Sequence, residues 1–227
     1  MTGHLTLELA AAAVLAGWVY YVIIDLSFRY YRLAISELRD DGLAKYVTRK
    51  LIHILGGGVP AALTPVIFTG PFLPVTLSFL VAAYTLLRRR FKLMAWFQEK
   101  SNYNEVTFAF MWGVSMLLSW FLTRGLLLGS LVALFLSVGD GVTGIVRAHR
   151  GERRKGWEGT LAMAIVCSVL GLVMAGAAGI ASGIASSFAE RVEGVDDNIV
   201  IPLAAMIILA LAKAFAPWLL ASPRILP

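Results

Sequence analysis

The chain has 227 residues, of which 59% are hydrophobic and 15% charged, with a mean hydropathy of +0.77. Soluble domains carry roughly 45–50% apolar residues and about a quarter charged, so this composition excludes an ordinary water-soluble enzyme or binding module. The single cysteine, Cys167, excludes a disulfide framework and a cysteine-based metal site, and the net charge of +6 needs its distribution to be interpreted.

In chain order, the apolar segments Leu5–Phe28, Leu51–Thr69, Phe72–Leu87, Val106–Leu122 and Leu126–Val146 approach or exceed the ~18–20 residues that cross a bilayer. A small-residue stretch, Thr160–Ala189, and a last segment, Ile199–Leu220, follow. Without water in the hydrocarbon, such segments satisfy their backbone polar groups as helices. The expected fold class is therefore all-α: a polytopic transmembrane helical bundle of seven or eight spans, forming one integral membrane domain over 1–227. The first segment has no basic n-region and no small-residue cleavage site, so it reads as a span and not as a removable signal peptide.

Three connectors, near 29–50, 88–104 and 147–157, hold most of the cations. Arg29, Arg32, Arg39, Lys45, Arg49 and Lys50 lie in or beside the first; Arg88, Arg89, Arg90, Lys92 and Lys100 in the second; Arg147, Arg150, Arg153, Arg154 and Lys155 in the third. By the positive-inside rule this puts the N-terminus outside and the three connectors in the cytoplasm. Basicity here sets topology and does not indicate nucleic acid. Arg29–Lys50 reads as an interfacial helix, with Tyr30 and Tyr31 at headgroup level. A single helix over Thr160–Ala189 would be about 45 Å long, more than the ~30 Å core requires. A hairpin turning around Ala175–Gly179 is favoured, with Gly179 and Gly183 spaced for close packing.

Four polar clusters interrupt this apolar chain. "TRKLIHILGGGVP" places His53 one turn after Arg49, on the same helix face, followed by Gly56–Gly58 and Pro60. Arg49 and Lys50 also serve as topology anchors. In "FQEKSNYNEVTF", Glu105 opens a helix where the dipole favours a carboxylate, with Asn102 as the expected cap. "SVGDGVTGIVRAHRGERRKGWEGT" puts Asp140 between Gly139 and Gly141, ahead of a basic loop and then Glu158, Gly159 and Thr160. Its GxGxxG match fails as a dinucleotide motif, since no strand precedes it. An intramembrane carboxylate is a functional candidate, and carboxylates meet phosphate through a bridging Mg²⁺. "FAERVEGVDDNIVIP" carries Glu190, Asp196, Asp197 and Asn198, readable as an Asx cap or as further acidic ligands.

Taken in order, these clusters resemble the CTP-dependent lipid kinase family: dolichol kinases, phytol and farnesol kinases and CTP-using diacylglycerol kinases, with relatives often labelled phosphatidate cytidylyltransferases. The resemblance runs from Arg49 to Pro202. The family's RKxxH element matches Arg49, Lys50 and His53. Its Gly-Asp helix, basic loop and K-S-x-E-G-[ST] element match Gly139, Asp140, Lys155, Glu158, Gly159 and Thr160, and its E…DN…P element matches Glu190, Asp197, Asn198 and Pro202. Gly156 replaces the family serine and Arg147 stands where a glycine is usual; the segment Glu99–Glu105 matches only loosely.

The resemblance implies transfer of the γ-phosphate of CTP to the hydroxyl of an isoprenoid alcohol or diradylglycerol entering from the bilayer. It implies Mg²⁺ held by Asp140, Glu158 and Asp197. Arg49, Lys50 and Lys155 would hold the triphosphate, with Gly139, Gly141, Gly159, Thr160 and Asn198 around it. His53, Asp140 and Asp197 are the expected catalytic groups; Glu105, Glu190, Arg153 and Arg154 are weaker candidates. Two rivals are carried forward. One is cytidylyl transfer to a lipid phosphate, which needs the same parts; the other is a small transporter, for which no inverted repeat is evident.

Overall fold

The computed structural model describes residues 2–151 and 154–220, and among these no strand occurs. Among the described residues, seven continuous helices are long and apolar enough to cross a bilayer, the signature of an integral membrane protein. Their outward faces carry exposed Leu7, Val14, Phe72, Phe121, Leu161 and Phe215, as a hydrocarbon solvent permits.

Helix α1 (Thr2–Tyr21) does not stop near Phe28. It passes through a π-helical turn, Val22–Leu26, into α2 (Ser27–Leu38), because both flanking residues keep right-handed helical angles. The chain leaves α2 at Arg39, a left-handed residue with φ 54°. Asp40 then caps α3 (Asp41–Ile52), accepting from the Leu43 amide at 3.0 Å. The single interfacial helix expected over Arg29–Lys50 is therefore two helices meeting at Arg39–Asp40. A second π turn, His53–Gly58, joins α3 to α4 (Val59–Ile67), so the glycines bend the backbone's hydrogen-bond register without breaking the helix.

Helices α5 (Phe72–Phe91) and α6 (Asn104–Thr123) form an antiparallel pair. Asn102 is not the cap of α6: that position is Tyr103, and Asn102 Oδ1 accepts weakly from the Asn104 amide at 3.4 Å. Helix α7 (Leu127–Leu134) continues through a third π turn, Phe135–Gly139, into α8 (Asp140–His149). This element is the core of the bundle, with Leu131, Val132, Ala133, Phe135 and Leu136 fully buried. Helix α10 (Asp197–Phe215) is capped by Asp196, whose side chain accepts from the Asn198 amide at 2.9 Å, the Asx cap expected there.

Between α8 and α10 lies α9 (Trp157–Glu190), 34 residues in length. A straight helix of that length would separate its ends by about 50 Å. Instead the ends meet: Lys155 Nζ donates to the carbonyl of Glu190 at 2.5 Å. Ala175 (φ −146°) and Gly176 (φ +62°) are non-helical, and the two arms fold back antiparallel as the hairpin expected at Ala175–Gly179. The arms touch backbone to backbone. A Cβ added at Gly179 would collide with the Gly171 carbonyl, and one at Gly183 would lie 2.7 Å from the Cys167 carbonyl carbon. Gly179→Leu is accordingly expected to prevent closure and abolish recoverable folded protein. Gly17→Ala, whose added Cβ meets nothing within 4 Å, is expected to raise thermal stability slightly, since alanine favours helix by up to about 1 kcal/mol over glycine. Yield and thermal unfolding in detergent measure both.

Candidate active site

The π turns His53–Gly58 and Phe135–Gly139 pack against one another in the middle of the bundle. Each inserts one residue into its helix, a device that shifts side-chain direction and recurs at functional sites. Asp140 leaves the second turn and His53 begins the first. Lys50 Nζ donates to both oxygens of Asp140, at 2.6 and 2.7 Å, and His53 Nδ1 lies 3.0 Å from Oδ2. Asp140 is 1% exposed. A buried carboxylate persists as an ion only when charge and hydrogen bonds surround it, and three short contacts meet that need here. Gly144 makes the geometry possible: the Lys50 side chain crosses it so closely that a Cβ would collide with Lys50 Cγ. The imidazole of His53 lies flat on Phe108, centroids 3.9 Å apart and planes at 18°.

Two more carboxylates join this centre from the far end of the hairpin. Glu190, fully buried, pairs with Arg147 of α8, whose Nη1 reaches the Tyr46 hydroxyl at 3.4 Å. Asp197 accepts from Lys155 Nζ at 2.5 Å, and the same ammonium donates to the carbonyls of Glu190 and Val192. One oxygen from each of Asp140, Glu190 and Asp197 lies within 4.8 Å of the others. Oε2 of Glu190 and Nε of Arg147 are buried without a hydrogen-bond partner. Each carboxylate is also paired with a cation, Asp140 with Lys50, Glu190 with Arg147 and Asp197 with Lys155; three hard oxygens this close are the donor type a divalent cation takes.

Two cavities flank the centre. One, of about 350 Å³, is lined by Arg147, Arg150, Arg154, Lys155, Glu158 and Arg191. Arg191 lies over the Trp157 ring at 3.7 Å and keeps a buried, unpartnered Nη1. The other, of about 300 Å³, is walled by apolar residues of α1, α4, α5 and α6, with Arg49, His53 and Glu105 among its lining. Arg49 Nη2 lies 3.5 Å from Glu99. Glu105 accepts from Gln98 at 2.8 Å and from Arg89 at 3.4 Å through Oε1.

The structure brings together Lys50, His53, Asp140, Lys155, Asp197 and Glu190. It does not bring Glu158 into the acidic group: that side chain is 59% exposed and pairs with Arg150 at 2.5 Å. Glu190, reached through the hairpin, lies beside Asp140 and Asp197 instead. Lys50 neutralises Asp140 instead of facing the basic cavity. Gly139 and Gly141 pack against Cys167 and Ile54, where an added Cβ would lie 2.5 Å away, so both glycines serve helix contact and leave no approach for a phosphate. Gly159 lines the basic cavity, while Thr160 is buried and back-bonded to the Gly156 carbonyl at 3.3 Å. Asn198 Nδ2 donates to Asp196 at 2.9 Å and to the Asn104 carbonyl at 3.1 Å, tying α10 to α6. Arg154 lines the basic cavity; Arg153 lies outside the described residues. Tyr46 and Arg191 were not anticipated at the site, and Arg147 and Arg150 only as cations of the basic loop. For Arg147 a signal existed, since Asp140, Gly144 and Arg147 recur at helical spacing on one face of α8.

Comparison of the chain with protein-family models, with curated proteins and with solved structures found no match.

Proposed function

We propose that this protein is a membrane phosphotransferase that moves the γ-phosphate of CTP to the hydroxyl of a lipid alcohol. The observation that carries the reading is the position of the acidic centre between two unlike cavities. Asp140 is bonded to His53, which lines the apolar cavity. Glu190 and Asp197 are bonded to Arg147 and Lys155, which line the basic one. A triphosphate suits the basic cavity and an aliphatic chain the apolar one. Such an arrangement presents donor and acceptor to each other across the carboxylates. The ordered motifs from Arg49 to Pro202 support the same class, and CTP as the nucleotide comes from that resemblance.

Phosphoryl transfer asks little covalent chemistry of the protein; positioning and charge neutralisation dominate. Arg147, Arg150, Arg154, Lys155 and Arg191 neutralise the triphosphate. Asp140, Glu190 and Asp197 are the residues that would hold Mg²⁺, which would supply positive charge against the charge developing on the transferred phosphoryl group. The hydroxyl oxygen forms its bond to the γ-phosphorus as the bond to the β–γ bridging oxygen breaks, CDP leaves, and the hydroxyl proton passes to a side chain at the polar end of the apolar cavity. The basic connectors and the site face the cytoplasm, with the N-terminus outside, on the charge asymmetry of the loops.

Incubating purified protein with CTP, Mg²⁺ and an isoprenoid alcohol is expected to yield CDP and a lipid monophosphate. Pyrophosphate and a CDP-lipid from a lipid phosphate would replace this reading with cytidylyl transfer. Arg191→Ala is expected to weaken Mg²⁺–CTP binding about tenfold or more, the usual scale for one hydrogen bond to a charged group, with little loss of fold because its guanidinium is partly unpartnered. The shift of thermal unfolding with CTP concentration measures it.

A further inference from the structure

The polar end of the apolar cavity contains two complementary orphans. Glu105 is 8% exposed, and its Oε1 is engaged by Gln98 and Arg89 while Oε2 has no hydrogen-bond partner. Arg49, which lines the same cavity, has a buried Nη1 likewise without a partner. One free acceptor and one free donor are the complement of a hydroxyl, which gives one hydrogen and accepts others. They are a poor complement to a phosphate monoester, whose negative charge would meet the Glu105 carboxylate. The start of α6, where Glu105 sits, is tied to the start of α10 beside Asp197 through the Asn198–Asn104 hydrogen bond. The orphan carboxylate is therefore anchored to the acidic centre.

We propose that Glu105 receives the hydroxyl hydrogen of the acceptor and that, with Arg49, it restricts the apolar cavity to uncharged lipid alcohols, excluding lipid phosphates. His53 lines the same end, but its ring is held by Asp140 and stacked on Phe108; Glu105 carries the free oxygen. The alcohol lies with its chain between α1 and α5, donates to Glu105 Oε2 and accepts from Arg49 Nη1. On transfer its oxygen bonds the γ-phosphorus of CTP, the hydrogen goes to Oε2, and CDP departs with the electrons of the broken β–γ bridge. This step rests on the phosphotransfer reading; the selection of the ligand does not.

The test uses no nucleotide, so its failure is separable from failure of that reading. A farnesol analogue bearing a diazirine in its tail is photolysed with the full-length protein in detergent, and labelled peptides are mapped. Label is expected on cavity residues of α5 and α6 such as Leu77, Val81 and Ala109. Unlabelled farnesol should compete about tenfold or more better than farnesyl monophosphate, the scale of one charged hydrogen bond. Glu105→Gln should shrink that ratio toward one by removing the negative charge. Ala16→Trp, at an exposed position on the cavity wall, should remove the labelling by filling the space. Equal competition by the monophosphate in the wild-type protein, an unchanged ratio in Glu105→Gln, or labelling indifferent to Ala16→Trp would each overturn the proposal.

Discussion

Replacing Asp140 by Asn is expected to lower phosphoryl transfer by at least about 10²–10³-fold, the scale for one electrostatic group at a reacting centre, and to destabilise the protein as well. The second effect follows from burial. Lys50 Nζ makes both its short contacts with Asp140, and each partner is almost wholly enclosed. Removing one charge strands the other, which costs roughly 3–5 kcal/mol for a buried pair. The two effects separate in the double variant Asp140→Asn with Lys50→Met, which removes the stranded ammonium. That variant is expected to recover most of the thermal stability and none of the activity. A double variant that regained activity would show Asp140 to be structural only.

Glu190→Gln should produce a stability loss of similar size, roughly 3–5 kcal/mol, because Arg147 then loses its charged partner inside the bundle. Pairing Glu190→Leu with Arg147→Met should restore folding, as apolar replacements of buried ion pairs do, by amounts from neutral to about 1–4 kcal/mol stabilising. Both groups also carry proposed roles, Glu190 toward the cation and Arg147 toward the triphosphate. The refolded double variant should therefore bind Mg²⁺–CTP poorly, and thermal unfolding with and without nucleotide reads both quantities. Arg147 stands where the resembling family has glycine. Its pairing with Glu190 gives that departure a physical meaning: the carboxylate brought back by the hairpin is met by a cation on α8.

The spans were legible because a bilayer imposes a length and a composition that survive any detail of packing. Their ends were less so. α1 runs on to Leu38 because Ser27–Leu38 is itself a helix former, and only the left-handed angle at Arg39 stops it. The hairpin in α9 was readable from length and from the small residues around Gly179 and Gly183. Among the residues that gather at the centre, Asp140 and His53 stand out in the sequence as polar groups in apolar runs, while Lys50, Lys155 and Asp197 stand in the polar stretches that border such runs. The partner of each was not legible. Glu158 is near Asp140 along the chain, yet the first turn of α9 directs it outward to Arg150. Glu190 is fifty residues from Asp140 and reaches it through the fold of α9 and the Arg147 pair. Linear proximity fails at such a point because helix rotation, set by packing, decides which side of an element a carboxylate faces. The π turns His53–Gly58 and Phe135–Gly139 had no sequence signal beyond their glycines, and Val22–Leu26 lacked even that.

Asp140, Glu190 and Asp197 are proposed to hold one cation beside the basic cavity. Titrating Mn²⁺, as a spectroscopic substitute for Mg²⁺, into purified protein with CTP and following the free-ion electron paramagnetic resonance signal tests it most directly. One bound ion per chain is expected, retained in Glu158→Gln and lost in Asp197→Asn. Binding that survives Asp197→Asn and disappears in Glu158→Gln would contradict it.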